Sequence, residues 1–325
     1  MPAANQFGSP TDGPALIVGS AGQDGFYLGE SLDRDGREIV RIGRDYLQRT
    51  DTSATDDFSV MSSKAVSTLV ADIRPREIYY LAAHHRSSED APETIRESLD
   101  RSYATHVTGL ANFLDAVSEK SPNSRLFYAA SSHVFGNPEI APQTEQTPFL
   151  PVNIYGITKV TGIQLCRLYR RQRGLYCCAG ILYNHESPRR AATYVGRKIV
   201  KTAVAIKRGE ADKLVLGNLD AEIDWGAAED YVEAMRLILS QDDPDEFVIA
   251  SGELHSIGEV VDVAFGALDL DPQKYLETNP DLITKSGQSR PLVGDASKLM
   301  QATGWTPKRG FEEIILSMVD AELGT

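Results

Sequence analysis

Tyr155 and Lys159 stand four residues apart in a stretch, Pro151 to Arg173, that reads as a helix. At that spacing both side chains leave the same helix face. An ammonium held beside a phenol favours the phenolate, because a nearby opposite charge stabilises the ionised form. A phenolate near neutral pH can take a proton from an alcohol or sugar hydroxyl, and hydride can then leave the same carbon. Taken alone, the spacing also fits a surface tyrosine and lysine on an ordinary amphipathic helix whose buried stripe is Ile157, Val160, Ile163, Leu165 and Leu168. The surrounding elements decide between the two.

Those elements begin with an apolar strand, Ala15 to Gly19, that runs into Gly19-x-x-Gly22-x-x-Gly25 and then a helix carrying Leu28 and Leu32. Strand, glycine turn and helix N-terminus form a dinucleotide-binding start: the glycines let the backbone approach a pyrophosphate, and the helix end supplies unpaired N–H groups. A second strand, Glu38 to Ile42, ends at Gly43-Arg44. Glycine cannot bind a ribose hydroxyl where an acidic residue would, while Arg44 can pair with a 2′-phosphate, which points to NADP. In the other reading Arg44 is a solvated turn residue and Asp45 contacts the ribose of NAD. Residues 51–63 read as polar loop, and helical residues Val66 to Ile73 follow. A third strand, Glu77 to Ala83, ends at His84-His85. Neighbours on an extended segment diverge and no cysteine or carboxylate sits at ligand spacing, so no metal is expected; the strand's end lines the cofactor crevice instead. A long helix, Ile95 to Glu119, precedes a fourth strand, Arg125 to Ala130, with Ser131-Ser132-His133 at its exit. Ligands of such a sheet bind outside the carboxyl ends of its strands, so Ser131 and Tyr155 can converge on one hydroxyl.

Composition narrows the field. With 325 residues, 42% hydrophobic, the chain can form one large domain or a nucleotide-binding domain with a smaller lobe. Residues 1–13 read as a loose tail with no signal-peptide pattern, and no apolar run reaches membrane-spanning length, so a cytoplasmic location is expected. The net charge of −13 disfavours nucleic-acid and anionic-membrane surfaces. Three cysteines, Cys166, Cys177 and Cys178, make no disulfide framework.

Ser131, Tyr155 and Lys159, with the opening glycine motif, resemble the extended short-chain dehydrogenase/reductase family. Gly22-Gln23-Asp24-Gly25, the run Gly180 to Arg190, Leu216 to Asp220, Asp224-Trp225-Gly226 and Gly304-Trp305-x-Pro307 narrow this to a resemblance to the GDP-mannose 4,6-dehydratases, from about Ala15 to near the C-terminus. The resemblance implies a Rossmann-like doubly wound parallel sheet of α/β class over residues 14–183 and a smaller substrate-binding lobe over residues 184–325, with segments returning to the first domain. It implies a homodimer or homotetramer, with the two long helices pairing with their copies. It also implies transient oxidation of a nucleotide sugar at C4, loss of water across C5 and C6, and return of hydride to C6. Ser131, His133, Tyr155 and Lys159 would be catalytic. Gly19, Gly22, Gln23, Asp24, Gly25, Arg44, Ser59, Val60, Leu81, Ala82, Ala83, His84, Tyr155, Lys159, His185 and Arg190 would hold the cofactor, and Arg86, Ser132, Asn184, Lys198, Asn218, Lys285 and Arg290 the GDP-sugar. A basic cluster of Arg189, Arg190, Arg197, Lys198 and Lys201 suits these phosphates.

Four positions depart from the family pattern. His133 stands where the family carries its glutamate base, and a neutral imidazole has a suitable pKa for that task. Ile223 replaces an arginine before Asp224-Trp225-Gly226. Ser59-Val60 replaces Asp-Leu at the adenine. His84-His85-Arg86 replaces Gln-Ser-His, and Arg86, Lys285 or Arg290 could restore the missing charge. These changes gather around the substrate, which leaves open an altered sugar or endpoint: a C4 dehydrogenase or epimerase without dehydration, or a binder of NADP or nucleotide sugar without turnover.

Overall fold

The computed structural model describes residues 12–43, 46–49, 55–56, 58–87, 90–91, 93–282 and 290–324. In chain order the first half comprises β1 (Ala15–Val18), α1 (Gln23–Arg34), β2 (Ile39–Ile42), β3 (Tyr46–Arg49), β4 (Thr55–Asp56), α2 (Ser63–Ile73), β5 (Glu77–Tyr80), α3 (Ile95–Tyr103), α4 (Leu110–Lys120), β6 (Arg125–Ala129) and α5 (Ile154–Arg173). The second half comprises β7 (Cys177–Leu182), β8 (His185–Glu186), α6 (Val195–Lys207), β9 (Leu214–Leu216), β10 (Glu222–Asp224), β11 (Gly226–Ala227), α7 (Ala228–Leu239), β12 (Glu246–Ile249), β13 (Leu254–Ser256), α8 (Ile257–Gly266), α9 (Pro272–Tyr275), β14 (Leu276–Thr278), α10 (Ser297–Thr303) and α11 (Phe311–Leu323).

Eight strands form the central sheet in the order β12-β7-β6-β5-β1-β2-β3-β4. The pairs from β12 to β2 are parallel, and β3 and β4 add an antiparallel edge. Strands β1, β6 and β7 are buried along their whole length, as expected where helices cover both faces of a parallel sheet. Helices α2, α4 and α5 pack together on one side, α1, α7 and α10 on the other. This is the expected Rossmann-like, doubly wound architecture. The edge strands β3 and β4 were not anticipated. The third strand is also shorter than expected: Leu81 N–H still bonds the Val18 carbonyl, after which the chain leaves the sheet.

A second apolar cluster gathers Ile199, Val200 and Val204 of α6, Val260, Val261 and Phe265 of α8, and Ile315 and Met318 of α11, with Trp225 between them. Helix α7, strand β12 and Trp305 return to the main cluster. No helix among the described residues is long and apolar enough to cross a membrane.

Two local features aim the catalytic face. The helix expected over Ile95 to Glu119 runs to Lys120 but opens into a wide turn at Ala104–Gly109. There the Tyr80 hydroxyl donates to the Thr105 carbonyl at 2.6 Å, and a Cβ on Gly109 would lie 2.4 Å from that hydroxyl. A side chain inserted into the helical ladder is a recognised cause of such widening, and this one turns His106 inward to full burial. Helix α5 packs through small residues, not through the full stripe read from its pattern. Ile157 is 49% exposed, and the buried face is Gly156, Thr158, Lys159, Gly162, Ile163 and Cys166. The glycines let α5 approach strand β6, which sets the depth of Lys159.

A Cβ on Gly162 would fall 2.3 Å from the Tyr128 ring and hydroxyl. In an open helix Gly→Ala gains about 1 kcal/mol, whereas overpacking a filled site costs about 1–3 kcal/mol. Gly162→Ala should therefore be destabilising by urea denaturation; equal or higher stability would show that α5 has room to move away from β6.

Candidate active site

The sequence-predicted catalytic residues converge at the carboxyl ends of the strands. Ser131 follows β6 and is buried at 7% exposure; its hydroxyl accepts the His133 N–H at 3.3 Å and acts to lower the pKa of Tyr155. Lys159, one turn along α5, is 1% exposed and donates from Nζ to the Ala129 carbonyl at 2.6 Å. The ammonium lies 5.5 Å from the Tyr155 ring centroid and 5.1 Å from that of Tyr128. Burial lowers the Lys159 pKa to about 7, with the Asp24 charge opposing. Burial raises that of Tyr155, and Tyr194 adds to the effect; the Ser131 hydrogen bond and the Arg190 charge act against it. The phenolate expected from the spacing is thus resisted by desolvation of the buried phenol.

Three imidazoles surround the phenol. His85, His106 and His133 have ring centroids 4.5, 5.2 and 5.6 Å from that of Tyr155. His106 has both nitrogens engaged: Nε2 accepts from the His84 backbone N–H at 2.9 Å, and Nδ1 faces the Thr158 hydroxyl at 2.8 Å. It shapes the floor beneath Tyr155, and burial depresses its pKa. His133 has Nδ1 3.1 Å from Asn153 Nδ2. His85 stands in the open cleft, stacked on Tyr194 with Nδ1 2.5 Å from the phenolic oxygen. Sequence reading placed His85 at the crevice but missed Asn153, Tyr194 and His106 as its companions. Asn153 alone had a readable local signal, as a helix N-cap.

The glycine turn fits a dinucleotide. Gly19 has φ +98°, and a Cβ there would lie 2.7 Å from the Ala82 nitrogen; one on Gly25 would lie 2.5 Å from the Gly19 carbonyl. Gly22 caps α1 with no side-chain hydrogen bond, leaving its first N–H groups for an anion. Leu81 and Ala82 flank this turn past the end of β5, with Ala83 following them in the chain, while His84 turns its ring to Glu93 at 3.2 Å. Ser59 and Val60 lie before α2; the Ser59 hydroxyl accepts from Met61 N–H at 3.2 Å, and the Val60 carbonyl takes Asn112 Nδ2 at 2.8 Å. Arg44 and Lys285 lie outside the described residues.

Gln23 and Asp24 tie the turn to the segment after β7. Gln23 Nε2 donates to the His185 carbonyl at 3.2 Å, Ser187 donates to Gln23 Oε1 at 2.6 Å, and Asp24 Oδ1 lies 2.9 Å from His185 Nε2. His185 Nδ1 faces the Tyr183 carbonyl at 2.8 Å. With an acceptor at each nitrogen, the ring carries both protons and is cationic beside an ionised Asp24. Burial opposes the charge on His185, but Asp24 raises its pKa overall. Burial likewise opposes ionisation of Asp24, yet His185 brings its pKa below the ordinary 3.8.

The substrate-side residues divide. Arg190 stacks over Tyr194 at 3.9 Å and reaches Asn184 Oδ1 and Glu186 at 3.3 Å, so Arg190, Asn184 and Tyr194 form one wall. Ser132 is buried beside Ser131. Lys198 is half-buried in the first turn of α6, and Asn218 is exposed, its Oδ1 accepting from Asp220 N–H at 3.0 Å. Arg86 does not supply a free charge: it donates to the Asp90 and Ala91 carbonyls and faces Glu93. Arg290 donates to the Pro138 carbonyl at 2.9 Å. Arg197 pairs with Glu322 and Arg189 lies over Phe26 at 3.6 Å, which dissolves much of the expected basic cluster. Among the described residues no group of three or more His, Cys, Asp and Glu could hold a metal ion.

A glycine turn at the head of a doubly wound sheet, facing a Ser–Tyr–Lys set, defines an NAD(P)-dependent enzyme of the extended short-chain dehydrogenase/reductase class. A model of the family described as GDP-mannose 4,6 dehydratase matches residues 16–318. GDP-mannose 4,6 dehydratase 2 of Arabidopsis thaliana is 38% identical over 95% of this chain and 86% of that protein. The Homo sapiens GDP-mannose 4,6 dehydratase is 35% identical over 95% and 91%. The chain belongs to the GDP-mannose 4,6-dehydratase family. Solved structures share its fold: RMD from Pseudomonas aeruginosa complexed with NADPH has a TM-score of 0.81 at 18% identity, covering 96% of this chain and 100% of that one. The dTDP-glucose 4,6-dehydratase from Bacillus anthracis, in complex with NAD, has a TM-score of 0.78 at 17% identity, covering 96% and 97%.

The Asp24–His185 pair has a defined pH window. The contribution of Asp24, whose folded pKa is lowered, is present above 3.8 and fades as pH falls through the folded value. That of His185, whose folded pKa is raised, is full below 6.5 and is lost as pH rises through the folded value. Asp24→Asn should therefore lower stability by about 1.5–3 kcal/mol near pH 5.5, the worth of a charge-assisted hydrogen bond, and by less near pH 9. Thermal melts across that range check it; a gap independent of pH would mean His185 is neutral.

Proposed function

We propose that this chain is an NADP-dependent nucleotide-sugar 4,6-dehydratase acting on a GDP-hexose such as GDP-mannose. The observation that carries this is the convergence of Ser131, Tyr155 and Lys159 beside the glycine turn, in a member of this family. When bound, the nicotinamide supplies a hydride acceptor and later a hydride donor, and its positive ring favours an ionised Tyr155. Tyr155 takes the C4 hydroxyl proton, Ser131 hydrogen-bonds the developing carbonyl oxygen, and Lys159 steadies the charge while anchored on Ala129. The 4-keto sugar so formed has an acidic C5 proton, and its removal expels the C6 hydroxyl. The wall of Arg190, Asn184 and Tyr194 receives the sugar and its phosphates. The enzyme works in the cytoplasm as a homodimer or homotetramer. Ile95 (80% exposed), Leu99 and Tyr103 repeat every four residues along α3, and the exposed Ile157 lies on the adjoining α5. An apolar stripe of this kind is covered by its own copy in the assembly.

Incubation with GDP-mannose and a trace of NADP should give the 4-keto-6-deoxy product by mass spectrometry, with no net rise in NADPH absorbance. NADPH accumulating in step with an undehydrated product would establish a dehydrogenase instead, and Tyr155→Phe should abolish turnover in either case. For the assembly, light scattering at micromolar concentration should report a dimer or larger, and Leu99→Glu with Ile157→Glu should give monomer. A monomeric parent protein would refute the helix-face interface.

A further inference from the structure

Elimination needs a base at C5 and a hydrogen-bond donor at the departing C6 oxygen, and two imidazoles flank Tyr155 on the cleft side. We propose that His85 is the base and that His133 is the donor, a division that rests on the dehydratase reading above.

The assignment follows from which nitrogen of each ring carries the proton. Asn153 caps α5, and its Oδ1 accepts the Gly156 N–H at 2.8 Å, which fixes the amide orientation. The other end of the amide, Nδ2, has only hydrogens to offer, and it faces His133 Nδ1 at 3.1 Å. His133 must therefore keep its lone pair on Nδ1, and the neutral ring carries its proton on Nε2, which has no partner among the described residues. The ring offers substrate an N–H and not a lone pair. To act as a base through Nε2 it would first have to move that proton and break the bond to Asn153.

His85 is under no such restriction. Its Nδ1 partner is the Tyr194 hydroxyl, which accepts as readily as it donates. With Nδ1–H given to Tyr194, the Nε2 lone pair is free, and no described residue engages it. The ring is exposed to the cleft, its centroid 4.5 Å from that of Tyr155 and 5.9 Å from that of His133, so a sugar with its C4 oxygen at Tyr155 can present C5 and C6 to the edges of both imidazoles. Surrounding protein, His133, Arg190 and Lys159 lower the His85 pKa, and cleft water tempers that; the ring is neutral at working pH. Neither remaining neighbour competes, since His106 has both nitrogens engaged and His84 is turned to Glu93.

The step balances on one proton. His85 Nε2 takes the C5 hydrogen, the C5–H electron pair forms the C5–C6 double bond, and the C6–O bond breaks. The departing oxygen, held by His133 N–H, receives the proton from the His85 imidazolium and leaves as water.

GDP-mannose deuterated at C4 reports oxidation through label passing to NADP, and GDP-mannose with NADP in deuterated solvent reports the step at C5. His85→Gln should retain hydrogen exchange between C4 and cofactor while losing C5 deuterium incorporation and 6-deoxy product about 100-fold or more, the usual worth of a general base. His133→Gln should slow product formation yet keep C5 deuterium incorporation. Asn153→Asp replaces the amide donor by an acceptor and moves the His133 proton to Nδ1, so His85→Gln with Asn153→Asp should recover part of the C5 exchange. Wild-type C5 exchange in His85→Gln, or its complete loss in His133→Gln alone, would overturn the assignment. No transfer of the C4 deuterium to C6 by the unaltered enzyme would overturn the dehydratase reading itself, and this proposal with it.

Discussion

A lysine ammonium taken almost wholly out of water needs an acceptor, and in this fold the acceptor is the last carbonyl of strand β6. The bond from Lys159 to Ala129 ties α5 to the exit of the strand that delivers Ser131, so the distance between the serine and Tyr155 is set by a single buried contact. Gly162 and Gly156 serve it by removing the side chains that would hold the helix off the sheet. Leaving such a donor unpaired would cost several kcal/mol, so the anchor and the site geometry stand or fall together. Burial also reduces the cost of neutralising Lys159, whose pKa falls to about 7.

A second tie sets the other side of the cleft. Asp24 begins α1, while His185 follows β7, and their ion pair holds the glycine turn against the segment that carries Asn184 and Arg190. The cofactor turn is therefore not an independent loop. Its position depends on charges from the part of the chain proposed to face the substrate, so disturbance on one side is transmitted to the other through a short, buried contact.

Much of this was legible in the sequence. Strand, glycine turn and helix have local signatures, and the four-residue spacing of Tyr155 and Lys159 is a property of any helix. What could not be read was depth and partnership. The period of α5 marked Ile157 as buried, whereas close packing through glycines turned a different face inward and left Ile157 in water. The sign of the Tyr155 shift likewise depends on desolvation, which spacing does not report. The basic cluster was counted as charge, but Arg197 finds Glu322 far along the chain and Arg86 curls into its own loop. His85 meets Tyr194 across 109 residues, a contact that only the folded chain creates.

The loss of free cations has a consequence for how substrate charge and chemistry meet. Ile223, where the family carries arginine, packs against the second apolar cluster, and Arg86 and Arg290 are held by backbone carbonyls. Arg190 remains beside the catalytic rings, lying over Tyr194. Its charge helps to lower the pKa of His85 and works against the raised pKa of Tyr155. An anion brought to Arg190 offsets part of that field, so His85 becomes a stronger base when a phosphate arrives. Tyr194 links the two physically, its ring beneath the guanidinium and its hydroxyl on the imidazole. On the roles proposed for Arg190 and His85, recognition of the phosphate and activation of the base are thus one electrostatic event, which ties basicity at C5 to the presence of substrate.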